Sequence, residues 1–157
     1  MMTKFKYSKA SEKAQKKFGT FGKKYLVTKI RKTLYKSEIE KIKKMDNFFI
    51  SSTNKSGSDP NVSVKYLKKS IIKITNKSLI IKNWKGDGKL ITIGNILENP
   101  NVGLLFFDLK KKLRLRVKAK AKVLKYKKKK KGFKLYDPDS KIIFEFKQIW
   151  NNCLRYK

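Results

Sequence analysis

At 157 residues and 39% hydrophobic content the chain has the size of one domain built on one core, and its formal charge of +32 comes from 43 basic against 11 acidic residues. It has no histidine, which excludes imidazole as general base, triad member or metal ligand, and its one cysteine, Cys153, excludes an intrachain disulfide and a multi-cysteine zinc site. No apolar run approaches the ~18 residues of a membrane span, and the opening MMTKFKYSKASEKAQKKF lacks a secretory h-region, so a cytoplasmic protein is expected.

All but four of the basic residues are lysine, the exceptions being Arg31, Arg114, Arg116 and Arg155. A lysine ammonium is a hydrated point charge on a flexible stem, poorly suited to bidentate reading of bases. Sequence-specific nucleic-acid recognition is therefore not expected. Non-specific, salt-sensitive attraction of polyanions is. The accompanying wealth of Ile, Asn, Phe and Tyr fits AT-rich codons, so mutational drift is an alternative origin of the lysines.

In chain order, residues 8–18 read as a short helix with Ser8 or Ser11 as N-cap and Gly19 as stop. Residues 37–45 read as a second, opened by Ser37 with Glu40 at capping-box spacing. From Asn47 the period shortens. FFISST is a compact strand, NKSGSDPN a turn, and VSVK the returning strand, with Val62 and Val64 alternating with Ser63 and Lys65. Ile71, Ile72 and Ile74, then Leu79, Ile80 and Ile81, form a second pair about Thr75–Ser78. Four strands in so short a stretch predict an antiparallel meander.

The segment 83–89 is either a ligand loop, in which Gly86 and Gly88 let backbone approach an anion between Lys85 and Lys89, or a solvated turn. Residues 91–98 form one or two helical turns, with Ile93, Ile96 and Leu97 inward and Pro100 as terminator. Residues 102–109 are a core strand. Residues 113–124 alternate, with Leu113, Leu115, Val117, Ala119, Ala121 and Val123 on one face and Arg114, Arg116, Lys118, Lys120 and Lys122 on the other. Retention of arginine at 114 and 116 in so lysine-rich a chain suggests a need for the planar guanidinium. The run KYKKKKK, 125–131, caps a solvated hairpin or anchors the chain to RNA or anionic lipid. A final strand follows over 141–150, with Ile143, Glu145, Lys147 and Ile149 set against Ile142, Phe144, Phe146, Gln148 and Trp150.

The stretch GDGKLITIGNILENPNVGLLFFD, with FFISST, VSVK, RLRVKAKA and the terminal NNCLRY, resembles the FMN-binding split barrel of the pyridoxamine 5'-phosphate oxidase-related proteins over roughly two thirds of the chain. The resemblance implies a mainly β fold, an antiparallel barrel of six or seven strands with short flanking helices. It implies a single domain over 1–157, with two helical segments within 8–45 and the barrel from about 47. It assigns Lys65 to the flavin phosphate, and Asn83, Lys89, Thr92 and Asn95 to cofactor contacts around the glycine loop. Arg114 takes a position that reaches the flavin, sometimes across a dimer interface, and Arg155 and Tyr156 line the site.

The chain departs from the family at Tyr66 and Leu67, where a glycine pair is usual, and at Leu154, where proline is. It lacks the Arg-Lys pair with which the true oxidases hold the phosphate, so vitamin B6 oxidation is not the expected activity. What the resemblance implies is a homodimer with FMN, or less favourably deazaflavin or haem, acting on a small-molecule substrate. Phe106, Phe107 and Trp150 are expected to need cover from the second subunit. The alternatives are a non-catalytic flavin or haem carrier and a basic RNA-binding module.

Overall fold

The computed structural model describes residues 3–23, 29–84, 88–110, 113–125 and 138–151. Along these the elements are β1 (Thr3–Lys4), α1 (Lys9–Lys17), β2 (Lys29–Ile30), α2 (Lys36–Lys43), β3 (Asn47–Thr53), β4 (Pro60–Tyr66), β5 (Ile71–Ile74), β6 (Ser78–Trp84), α3 (Ile91–Glu98), β7 (Asn101–Asp108), β8 (Leu113–Lys125) and β9 (Pro138–Asn151). Strands β3 to β9 form one antiparallel sheet in the order β4-β3-β7-β8-β9-β6-β5, and β1 pairs with β2 apart from it. The fold is a mainly β, curled, seven-stranded half-barrel with short helices, consistent with a split barrel.

The four strands β3 to β6 do not form the expected meander. They are two hairpins at opposite edges of the sheet. Strands β4 and β5 are the two edges, yet only Leu67–Ser70 separate them, a span of at most about 18 Å. Flat, a seven-stranded sheet would hold its edges roughly 29 Å apart. The short link therefore requires the sheet to curl until its edges approach at that end. A local count of strands carries no information about which strand will be inserted between them.

Helix α1 is capped as its sequence suggests, Ser8 Oγ accepting from the Ser11 N–H at 3.1 Å, and Gly19 at φ +67° turns the chain out of it. Helix α2 begins one residue earlier than expected, with Tyr35 rather than Ser37 as N-cap. Glu38, not Glu40, reaches back, its Oε2 accepting from the Tyr35 N–H at 2.9 Å. Glu38 is preferred because it lies on the buried side, where its other oxygen accepts from Arg31; Glu40 is exposed and pairs with Lys43. Arg31 also donates to the Thr33 carbonyl and lies 4.1 Å from the Tyr35 ring centroid. This buried guanidinium uses its fork inside the fold, a role the sequence did not announce.

The core is formed by the inward faces of the curled sheet. Phe48 stacks on Phe106 with centroids 5.3 Å apart and meets Phe144 edge-on at 6.0 Å. Phe106, expected to need cover from a second subunit, is thus fully buried within this one. Trp150 is half-buried with Phe5 against its ring at 5.5 Å, and Phe107 alone of the three is exposed.

On β8 the expected alternation holds, the apolar residues inward and Arg116, Lys118, Lys120 and Lys122 exposed. On β9 it breaks. Lys118 pairs with Gln148 but Ala119 pairs with Phe146, so Lys147 is the extra residue of a β-bulge. Side-chain parity reverses there, and Ile149, expected on the face of Glu145, is fully buried.

In α3 the buried residues are Thr92, Asn95 and Ile96, an i, i+3, i+4 stripe; Leu97, a further 100° around the helix, is 72% exposed rather than inward. Leu109 likewise lies exposed beyond the end of β7. No helix among the described residues is long and apolar enough to cross a membrane. The sequence features Lys85, Gly86, nearly all of the lysine run, Cys153, Arg155 and Tyr156 lie outside the described residues.

Candidate functional site

Strand β4 has inverted amphipathicity. Asn61, Ser63 and Lys65 point into the barrel mouth, whereas Val62, Val64 and Tyr66 face outward, with Val62 and Tyr66 about 70% exposed. Period-two alternation separates the two faces of a strand without saying which faces the core. The polar face of β4 turns inward because α3 lies against it and offers partners. Thr92 Oγ1 is 2.9 Å from Ser63 Oγ, and Asn61 donates to both hydroxyls, at 3.3 and 3.1 Å. This triad fixes the start of α3 against the sheet.

Between β4, the end of β6 and the start of α3 lies a cleft of about 340 Å³, lined on one side by Asn61, Ser63 and Lys65 and on the other by Trp84, Lys89, Leu90 and Ile91. Asn83 sits at its floor, 3% exposed, and donates to Ser140 Oγ at 3.1 Å. The Trp84 indole N–H donates to the buried Ser70 hydroxyl at 2.7 Å, which holds the ring at the cleft rim. Leu90 adopts the left-handed conformation, φ +53°, costly for a bulky residue, and as N-cap of α3 it supplies no side-chain acceptor. The first turn of α3, with the positive end of its dipole, borders the cleft, and its N-cap residue contributes no capping side chain.

Of the residues expected at the site, Lys65, Asn83, Lys89 and Thr92 are brought together in this cleft. Asn95 is not at its lining; it is buried one turn along α3 and donates to Ser52 Oγ at 3.2 Å, tying the helix to β3. Arg114 is farther still, half-buried on the outer face of β8 opposite Phe107. Asn61, Ser63 and Trp84 were not anticipated. Two of them carried a signal, being the polar positions spaced by two from Lys65.

The set of lysines, hydroxyls and helix amides at one end, with an indole and aliphatic wall at the other, suits a ligand with an anionic group and a flat apolar body. Fold and cleft together define a split-barrel protein with an anion-compatible mouth. A family model described as pyridoxamine 5'-phosphate oxidase matches residues 35–150, and the chain belongs to that family.

Solved structures share the fold at low identity. HupZ from Group A Streptococcus is 18% identical, with 75% of this chain and 94% of that one covered and a TM-score of 0.57. A Clostridium acetobutylicum protein related to general stress protein 26, of the pyridoxinephosphate oxidase family, is 14% identical over 76% of this chain and 88% of that one, with a TM-score of 0.54. No curated protein sequence matches at a significant level.

Proposed function

We propose that this chain binds FMN and uses it for redox chemistry on a small molecule. The observation that carries the reading is the convergence of Lys65 and Lys89 with the first turn of α3 in one cleft whose other wall is apolar. Lys65, Lys89 and the backbone amides at Thr92 would hold the phosphate, and the hydroxyl triad would keep that helix end in place. Trp84, Leu90 and Ile91 would exclude water from the ring. When bound, the flavin supplies the hydride or electron transfer, so a site without histidine suffices. The same absence means that these 157 residues offer a haem no imidazole ligand, which favours flavin.

The reading includes a homodimer. The outward residues of β4, β3 and β7 form a continuous apolar swath running from Tyr66, Val64 and Val62 through Phe49 to Leu105 and Phe107. Arg114 lies at its edge, directed away from the cleft of its own subunit. If this face pairs with a second copy, Arg114 becomes available to that copy's cofactor.

The absorbance spectrum of the purified protein and titrations with FMN and riboflavin test the reading. A phosphate held by charge-assisted hydrogen bonds contributes about 1.5 kcal/mol or more, roughly tenfold in affinity. Equal affinity for the two flavins removes the phosphate site. A flavin spectrum with no turnover on any reductant would leave a carrier in place of an enzyme.

A further inference from the structure

Lysine is not scattered evenly over the outer surface of the barrel. On the β4-β3-β7 half, no outward position of the strands is a lysine. On the β8-β9-β6-β5 half, Lys118, Lys120, Lys122, Lys141, Lys82 and Lys73 all point outward. Codon drift alone would place lysine on either half. Among the outward strand positions of the basic half whose side chains are described, the carboxylate is Glu145, and Lys147 holds it at 2.6 Å. Lys82 and Lys141 stand directly opposite each other on neighbouring strands, where like charges repel. The arrangement leaves a band of uncompensated positive charge, separate from the cleft.

We infer that this face docks the backbone of duplex nucleic acid without reading its sequence. Lys118, Lys120 and Lys122 follow one another at about 6.8 Å along a strand, a linear array matched to a linear polyanion rather than to a flat bilayer, which a convex sheet touches over few headgroups. The side chains are lysine, so phosphates are contacted and bases are not. The hydrophobic positions on the face include the half-buried Ile80 and Ile143, the exposed Ile72 and the half-buried Trp150, whose ring has Phe5 against it edge-on at 5.5 Å, so the face presents no row of open rings on which successive unpaired bases could stack. The inference stands independently of the flavin reading.

The test uses the full chain, a labelled 20-base-pair duplex and a salt titration. Replacing Lys73, Lys120 and Lys122 together with Gln should make the plot of log affinity against log salt shallower by about 2.7, at roughly 0.9 for each phosphate no longer neutralised. Replacing Lys9, Lys13 and Lys36 removes the same charge from exposed positions elsewhere and should leave the slope unchanged. The first set changed to Arg should retain the parental slope, which separates removal of charge from failure to fold. Equal slope changes in the two Gln variants would overturn the inference in favour of a diffuse field. So would tighter binding of the single strand than of the duplex, or retention on phosphatidylserine vesicles at a salt concentration that releases the duplex.

Discussion

Asn95 gives the sharpest separation between a residue that holds the fold and one that holds a ligand. Its amide donates to Ser52 Oγ at 3.2 Å, and the two residues are only 7% and 4% exposed. In Asn95→Ala the hydrogen bond is lost, a net of about 1 kcal/mol, and the Ser52 hydroxyl is left in a buried place without that partner, bringing the cost to about 1–3 kcal/mol. For a domain of this size each kcal/mol lowers Tm by about 2–4 °C, so thermal unfolding followed by circular dichroism should move down by about 2–12 °C. Ser52→Ala should recover part of the loss in the double variant, because the orphaned hydroxyl is gone. FMN affinity should fall by less than about threefold, since the amide points at β3 and not into the cleft. An unchanged Tm with affinity down by tenfold or more would refute the reasoning and place Asn95 against the ligand.

Deleting Lys147, the extra residue of the bulge, should leave Phe146, Gln148 and Ile149 opposite Ala119, Lys118 and Val117 with Ile149 still buried, so urea melts should show less than the ~1.5–3 kcal/mol that one exposed isoleucine would cost; a loss of that size would refute the bulge assignment. The hydrogen bond from Lys147 holds the Glu145 carboxyl below its ordinary 4.5. Its small contribution is therefore complete above pH 4.5 and lost as pH falls through the depressed value, and carbon-detected NMR titration should show the midpoint rise in Lys147→Gln. Val64→Lys, on the outward face of β4, should yield a monomer by sedimentation if the apolar swath is the interface, and a persistent dimer would place the interface elsewhere. Arg114→Lys should cost about 1–3 kcal/mol of FMN binding while Arg116→Lys is silent, and two silent variants would remove Arg114 from the site.

Local chemistry was sufficient for many of the elements. The Ser8 cap, the turn after Thr53, the alternation along residues 113–123 and the Pro100 stop depend on residues within a few positions of one another, so they are legible from the chain alone. The cleft was legible in part for the same reason, since Lys89 and Thr92 are near neighbours in sequence. Only the tertiary structure decided which face of β4 turns inward, because that depends on α3 arriving about thirty residues later with a hydroxyl for Ser63. It alone decided that two hairpins lie at opposite edges, since the intervening strands come afterward, and that Ile149 is buried, since a bulge is defined by its partner strand. What distinguishes Asn95 from Thr92, and Arg31 from Arg114, is likewise not residue type but which groups the curled sheet brings within reach, and sequence spacing does not encode distances across a curled sheet.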